Sequence, residues 1–202
     1  MTLHREAVTP ELLLLLLELM TEERLSQFAL GGGTSLALRF GHRESVDIDL
    51  FTTSSFEARE VADMLKRSYG LREAETAVNS VSGVINDIKV DILSHRYPLL
   101  LPIVEESGIR MLSLEDMAAM KLNAVANRGS KKDFWDVAEL FSEFTCEEML
   151  SFFSGKYPGD SVWNVGKSLS YFEDAEVQPD PRSLRNQNWE AVKSLILRNS
   201  RL

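Results

Sequence analysis

The chain has 202 residues, 44% of them hydrophobic and 26% charged, which suits a globular protein with a sizeable core. A formal net charge of −9 at pH 7 gives an overall field that does not favour nucleic acid, so any such partner needs a local basic patch. A single cysteine, Cys146, excludes an internal disulfide framework and fits a reducing, cytoplasmic setting.

No secretory leader is read at the N-terminus. Thr9 suits an N-cap with Pro10 at the first helical position, so a helix is expected from there to about Met20. Its Leu12–Leu17 run is too short to span a bilayer and is bracketed by Glu11 and Glu18, which predicts a core helix and no membrane partner. Thr21 suits the cap of a short turn ending near Leu25, and Phe28–Leu30 begin a strand.

Residues 31–35, Gly-Gly-Gly-Thr-Ser, then form a turn into a helix from about Ser35 to Phe40. Glycines let the backbone approach a ligand, and a helix start offers free N–H groups and a positive dipole end. The next strand carries Asp47 and Asp49 between Val46, Ile48 and Leu50. Residues two apart in a strand share a face, roughly 6.5–7 Å apart, so the aspartates project together and the aliphatic residues bury the other face. Two carboxylates so placed call for a cation, and a hard divalent ion such as Mg²⁺ brings substrate phosphates with it.

Ser54 and Glu57 have capping-box spacing for a helix running to about Tyr69, with Gly70 at its end. Residues 71–95 read as two or three strands with turns at Asn79-Ser80 and Asn86-Asp87. The last of these, Lys89–Leu93, points Asp91 away from the face of Val90 and Ile92. If it pairs beside the first aspartate strand, Asp91 becomes a third carboxylate. Pro98 and Pro102 mark a connection.

From Ser113 onward the pattern is helical. Helices are expected over 113–127, over 131–144 after a Ser130 cap, from a Thr145/Glu148 capping box to about Phe153, over 163–172, and over 188–199. Residues 155–162 read as a loop and 178–181 as a connector. The fold class is therefore α+β, with residues 1–110 as the core plus N-terminal helix and 111–202 as a helical part packed on it.

Gly32-Gly33-Thr34, His42-Arg43, Ser45, Asp47 and Asp49 resemble the nucleotidyltransferase motif of the DNA polymerase β superfamily, and more closely its AbiEii/AbiGii-type toxin family. Lys89-Val90-Asp91, Asp116-x-x-x-x-Lys121, and Arg128-Gly129-x-Lys131-Lys132-Asp133-x-x-Asp136 extend the resemblance, and Tyr171-Phe172-x-x-Ala175 is similar to the family's tail. Gly31 ahead of the glycine pair is a departure that leaves open which glycines meet phosphate. The resemblance implies a nucleotidyltransferase-like mixed sheet flanked by helices, with a helical C-terminal part. It implies transfer of a nucleoside monophosphate from an NTP with Mg²⁺ or Mn²⁺, and a type IV toxin–antitoxin or phage-defence toxin. The acceptor would be RNA such as tRNA, a protein or a small molecule, and a separately encoded antitoxin would be a partner.

On that reading Asp47, Asp49 and Asp91 bind the metal ions and perform catalysis, with Asp91 helping to deprotonate the acceptor. Gly32, Gly33, Thr34 and Ser35 hold the β and γ phosphates through N–H groups and hydroxyls. Lys121 either contacts the triphosphate or carries its charge to water from an apolar helix. Arg128 and Lys132, with Lys131, either bind NTP or an RNA backbone or cap the preceding helix. Asp133 and Asp136 share a helix face and are expected to orient Lys121 or Lys132 or to act in catalysis. Arg43 is expected to pair with Asp47, and His42 to be structural. Two further readings remain: a nucleotide- or partner-binding module without chemistry, and a phosphotransferase on the same fold.

Overall fold

The computed structural model describes residues 2–200. Seven strands make one mixed sheet: β1 (Ala29–Leu30), β2 (Asp47–Thr52), β3 (Arg72–Ala77), β4 (Ser80–Ile85), β5 (Ile88–Ser94), β6 (Val104–Glu106) and β7 (Ile109–Met111). Their order is β3-β4-β5-β2-β1-β7-β6, with β2 parallel to β5 and β1 parallel to β7. The helices are α1 (Pro10–Thr21), α2 (Gly32–Phe40), α3 (Ala58–Tyr69), α4 (Leu114–Asn127), α5 (Lys131–Leu140), α6 (Cys146–Lys156), α7 (Val162–Ser168), α8 (Glu173–Glu176) and α9 (Trp189–Asn199).

One apolar cluster joins α1 and α3 to the sheet face carrying Ile48, Leu50, Val90 and Ile92. α1 buries Leu12, Leu15, Leu16, Leu19 and Met20, each burial contributing about 1.5–3 kcal/mol. A second cluster gathers α4, α5, α6 and α9 with Ala29, Leu36 and Phe40. The strand alternation therefore turns Asp47, Asp49 and Asp91 away from the α1/α3 layer.

Thr9 accepts from Leu12 N at 3.2 Å and Ser113 from Asp116 N at 3.0 Å, as cap residues do. Both halves of the Thr145/Glu148 capping box form. Asn86 and Asp87 both take positive φ, the backbone of a tight hairpin turn between β4 and β5.

Several boundaries differ from the pattern reading. α2 begins at Gly32, because the glycine turn itself winds into the first helical turn. No Ser54/Glu57 box forms; Ser54 N donates to Thr52 Oγ1 at 3.2 Å and α3 starts only at Ala58. α5 stops at Leu140, α6 runs on to Lys156, and α7 ends at Ser168, with the separate turn α8 following. The stretch after Pro102 holds the hairpin β6–β7, closed by positive φ at Ser107 and Gly108; strands of three residues leave no readable alternation. Val46 precedes the strand and is 62% exposed, so it does not share the buried face of Ile48 and Leu50.

Candidate active site

Asp49 and Asp91 are direct register partners across the parallel β2–β5 pair, and Asp47 lies opposite Lys89. All four line one open cleft of about 500 Å³, together with Gly32, Gly33, Arg43, Lys121, Arg128 and Lys132. Residues distant in sequence thus converge because β2 sits mid-sheet, with β5 on one side and the glycine turn and α4/α5 on the other.

The glycines separate by role in the packing. A Cβ on Gly31 would strike the Phe51 ring and Leu112, behind the cleft. A Cβ on Gly32 would overlap the Asp49 carboxylate, and one on Gly33 would overlap the Arg43 guanidinium. Gly32 also has φ +62°, a conformation side chains resist. So Gly32 and Gly33 are the pair that keeps backbone N–H groups open at the start of α2, with the helix dipole behind them. Gly31 N donates to the Asp49 carbonyl at 2.9 Å, tying the turn to β2.

Thr34 and Ser35 do not line the cleft, contrary to the expectation for their hydroxyls. Both side chains are buried. Thr34 Oγ1 donates to the Asp47 carbonyl and shares a 2.8 Å hydrogen bond with Ser45 Oγ, so it fixes the start of β2. Ser35 Oγ is enclosed without a hydrogen-bond partner among the described residues.

The Asp49 side chain has no hydrogen bond or ion pair among the described residues. Burial first, and then Asp91 and Asp47, push its carboxyl up, against the pull of Lys121 and Lys132. Asp91 is held by Ser82 Oγ and by Lys89 Nζ at 2.6 Å, and Asp47 faces Lys132 Nζ at 3.8 Å. Three oxygen-only carboxylates on one face suit a hard divalent cation, and the two lysines stand where its charge would act. As they lie, no three His, Cys, Asp or Glu side chains among the described residues are gathered around one point, and Ser82 and Lys89 occupy Asp91.

Behind the cleft is a buried ion network. Asp136 accepts from Arg43 Nε at 2.7 Å, Arg43 Nη2 at 2.8 Å and His42 Nε2 at 2.9 Å, and pairs with Lys121 Nζ at 2.6 Å. Asp133 accepts from Arg128 Nε at 2.7 Å and Nη2 at 2.8 Å, from Lys121 Nζ at 3.1 Å, and from Ser130 Oγ. Burial works to raise the Asp133 carboxyl, yet Arg128, Lys121 and Ser130 hold it at about 2. Asp136 is likewise kept well below the usual range by Arg43, Lys121 and His42, despite its burial. Arg43 therefore pairs with Asp136, not Asp47, since Asp136 is buried at bidentate distance. Asp133 and Asp136 orient Lys121 and Arg128, not Lys132, whose ammonium lies near Asp47 instead. Lys121 is buried and does not run out to water.

One wall of the cleft was not legible as such. Residues 178–181, expected only as a connector, line it together with Arg182. They are pinned by Lys131 Nζ to Asp180 at 2.9 Å, Lys131 N to Gln178 Oε1 at 3.0 Å, and Arg182 Nη1 to Glu44 at 2.8 Å. The Tyr171-Phe172-x-x-Ala175 tail precedes this wall and packs Phe172 against Phe134 at 5.0 Å and Trp189 at 5.6 Å between ring centres. Asp116 lies apart from the cleft, bound to Lys156 Nζ at 2.6 Å and to Leu100 N at 3.1 Å.

The mixed sheet, the glycine turn and the three facing carboxylates define a nucleotidyltransferase fold. The solved structures agree. MenT4, a nucleotidyltransferase toxin from Mycobacterium tuberculosis, matches with a TM-score of 0.61 at 16% identity, covering 92% of this chain and 78% of that one. JHP933 from Helicobacter pylori matches with a TM-score of 0.59 at 15% identity, covering 96% and 91%. In sequence, the uncharacterized protein aq_aa25 of Aquifex aeolicus (strain VF5) is 33% identical over 181 residues, 86% of each chain. The family described as nucleotidyl transferase AbiEii toxin, type IV TA system, matches residues 14–100 and 84–200. The chain belongs to the AbiEii nucleotidyltransferase toxin family, and its activity is nucleotidyl transfer. Among the described residues no helix is long and apolar enough to cross a membrane.

Proposed function

We propose that this chain transfers a nucleoside monophosphate from an NTP to a hydroxyl of an RNA acceptor, using Mg²⁺ or Mn²⁺, as the toxin of a type IV toxin–antitoxin pair. The observation that carries the reading is the in-register pair Asp49–Asp91, with Asp47 on the same face, opening onto the cleft that Gly32 and Gly33 also line. Asp47, Asp49 and Asp91 hold the cation, which when bound neutralises the triphosphate and polarises the phosphorus under attack. Gly32 and Gly33 present N–H groups to the β and γ phosphates. Lys121, Arg128 and Lys132 supply positive charge along the triphosphate, the first two locked in direction by Asp133 and Asp136. The acceptor hydroxyl gives its proton to Asp91, and its oxygen bonds to the α phosphorus as the bond to the β-phosphate oxygen breaks, releasing pyrophosphate. The local cations at the cleft supply the basic patch that the acidic chain needs for RNA.

Incubating the protein with α- or γ-labelled NTP and total cellular RNA tests this. Label from the α position on RNA is expected. Label only from the γ position would make it a phosphotransferase, and metal-dependent NTP binding without any transfer would make it a binding module.

A further inference from the structure

The Gln178–Arg182 wall has no task in the steps above, yet it is anchored with care. Phe172 packs between Phe134 and Trp189, Ala175 is fully buried, and the following residues run along the cleft pinned to Lys131 and Glu44. The backbone repeats the attachment: Glu44 N donates to the Arg182 carbonyl at 2.9 Å, and Leu184 N to the His42 carbonyl at 3.0 Å. The wall thus lies on the side of the cleft formed by α5 and the loop entering β2. Asp91 and Lys89 lie on the other side, on β5.

The chemistry of the two sides differs. Around Gly32, Gly33, Lys121, Arg128 and Lys132 the cleft is built for phosphate. At the wall, Pro179 and Pro181 line the cleft along with Val46, an aliphatic side chain left 62% exposed at the edge of the site. Asp180 is half exposed, and one of its two oxygens receives Lys131 Nζ. Flat apolar faces beside a hydrogen-bond acceptor suit a nucleobase and ribose, and the one cation of the wall, Arg182, is paired with Glu44.

We propose that the Gln178–Arg182 wall, with Val46, recognises the nucleoside part of the donor NTP. Pro179, Pro181 and Val46 cover the base, and the free oxygen of Asp180 accepts from a sugar hydroxyl or base N–H. The acceptor then enters from the opposite, β5 side, where Asp91 waits. This rests on the proposed NTP-dependent transfer, and the test separates the two.

Binding of each NTP, each dNTP and inorganic tripolyphosphate is measured by calorimetry for the wild type, Val46→Ser and Asp180→Asn. Asparagine keeps an oxygen for Lys131, so the wall stays pinned, and circular dichroism checks the fold of each variant. The wild type is expected to bind its preferred NTP more tightly than tripolyphosphate. Val46→Ser is expected to weaken NTP about tenfold, on the scale of one partly buried aliphatic contact, and to leave tripolyphosphate unchanged. Asp180→Asn is expected to narrow the gap between nucleotides. Wild-type protein that binds tripolyphosphate as tightly as any NTP overturns the proposal alone. So do variants that bind every NTP like the wild type but raise KM for the acceptor, which would assign the wall to the acceptor. No binding of tripolyphosphate or NTP by the wild type removes the underlying reading as well.

Discussion

Asp49 and Asp91 stand side by side on parallel strands, and only one of them has a partner. Asp91 is held by Ser82 and Lys89, while the partly buried Asp49 carboxylate feels two other carboxylates as well as Lys121 and has no hydrogen bond among the described residues. A protein of marginal stability tolerates such a repulsive site where function demands it. The charged form of Asp49 is thus destabilising, and on the proposed function a bound cation would relieve it.

This gives the first prediction. Asp49→Asn is expected to raise the thermal midpoint in metal-free buffer, because it removes a desolvated, repelled charge. The same change is expected to lower transfer by at least about a hundredfold, the scale of losing one charge-stabilising group from a preorganised site. Mg²⁺ or Mn²⁺ should raise the midpoint of the wild type but not of the variant. Scanning calorimetry with and without cation, beside a transfer assay, checks all three. A variant less stable than wild type in metal-free buffer would contradict the account.

The second prediction concerns Gly32. Gly32→Ala meets both a φ of +62° and the Asp49 carboxylate, whereas Gly70→Ala meets a φ of +69° with nothing within 4 Å. The conformational cost alone is about 1–2 kcal/mol and is common to both. Overlap at Gly32 is expected to add roughly 1–3 kcal/mol. Denaturant unfolding of the two variants measures the difference. In the Gly32→Ala background, Asp49→Ala is expected to recover part of the loss, a positive coupling in a double-mutant cycle.

Much of this could be read before folding. The Asp47/Asp49/Asp91 alternation follows from a strand period of two, and Thr9, Ser113 and Thr145 announced their helices through capping chemistry. What escaped was set by tertiary partners. Arg43 pairing with Asp136 joins residues 93 apart, and no local pattern encodes it. Thr34 and Ser35 look like phosphate ligands in sequence, but in the first turn of α2 both side chains are buried, Thr34 against the start of β2. Gln178–Arg182 carries no periodicity, and its place in the cleft depends on Phe172, Lys131 and Glu44.

A third prediction follows from the network behind the cleft. Asp136 is fully buried and receives Arg43, Lys121 and His42. Asp136→Ala leaves the buried Arg43 and Lys121 side chains without this partner, a loss of about 3–5 kcal/mol. Urea unfolding is expected to show the midpoint falling by a corresponding amount. Lys132→Ala is the contrast: its ammonium is half exposed and 3.8 Å from Asp47, so stability should change little while NTP affinity falls.

A fourth prediction is a pH dependence set away from the cleft. His95 shares a 3.0 Å hydrogen bond with the Tyr157 hydroxyl and lies near Lys156, which is tied to Asp116. Burial first, and then Lys156, lower His95 to about 4 from 6.5, against a weaker pull from Asp116. The folded state thus disfavours the imidazolium, and the unfolded chain binds the proton first. Stability from this site is complete above pH 6.5 and is lost as pH falls from there toward 4. After allowance for partial exposure the loss amounts to about 1–3 kcal/mol. Asp133 and Asp136, held below the ordinary carboxylate value of 3.8, lose most of their contribution only as pH falls below that value, so they add to the acid sensitivity mainly under this window. His95→Gln cannot take up the proton, so its unfolding midpoint should depend less on pH between 6.5 and 4.5 than that of the wild type. Equal slopes for the two proteins over that range would place the acid sensitivity elsewhere.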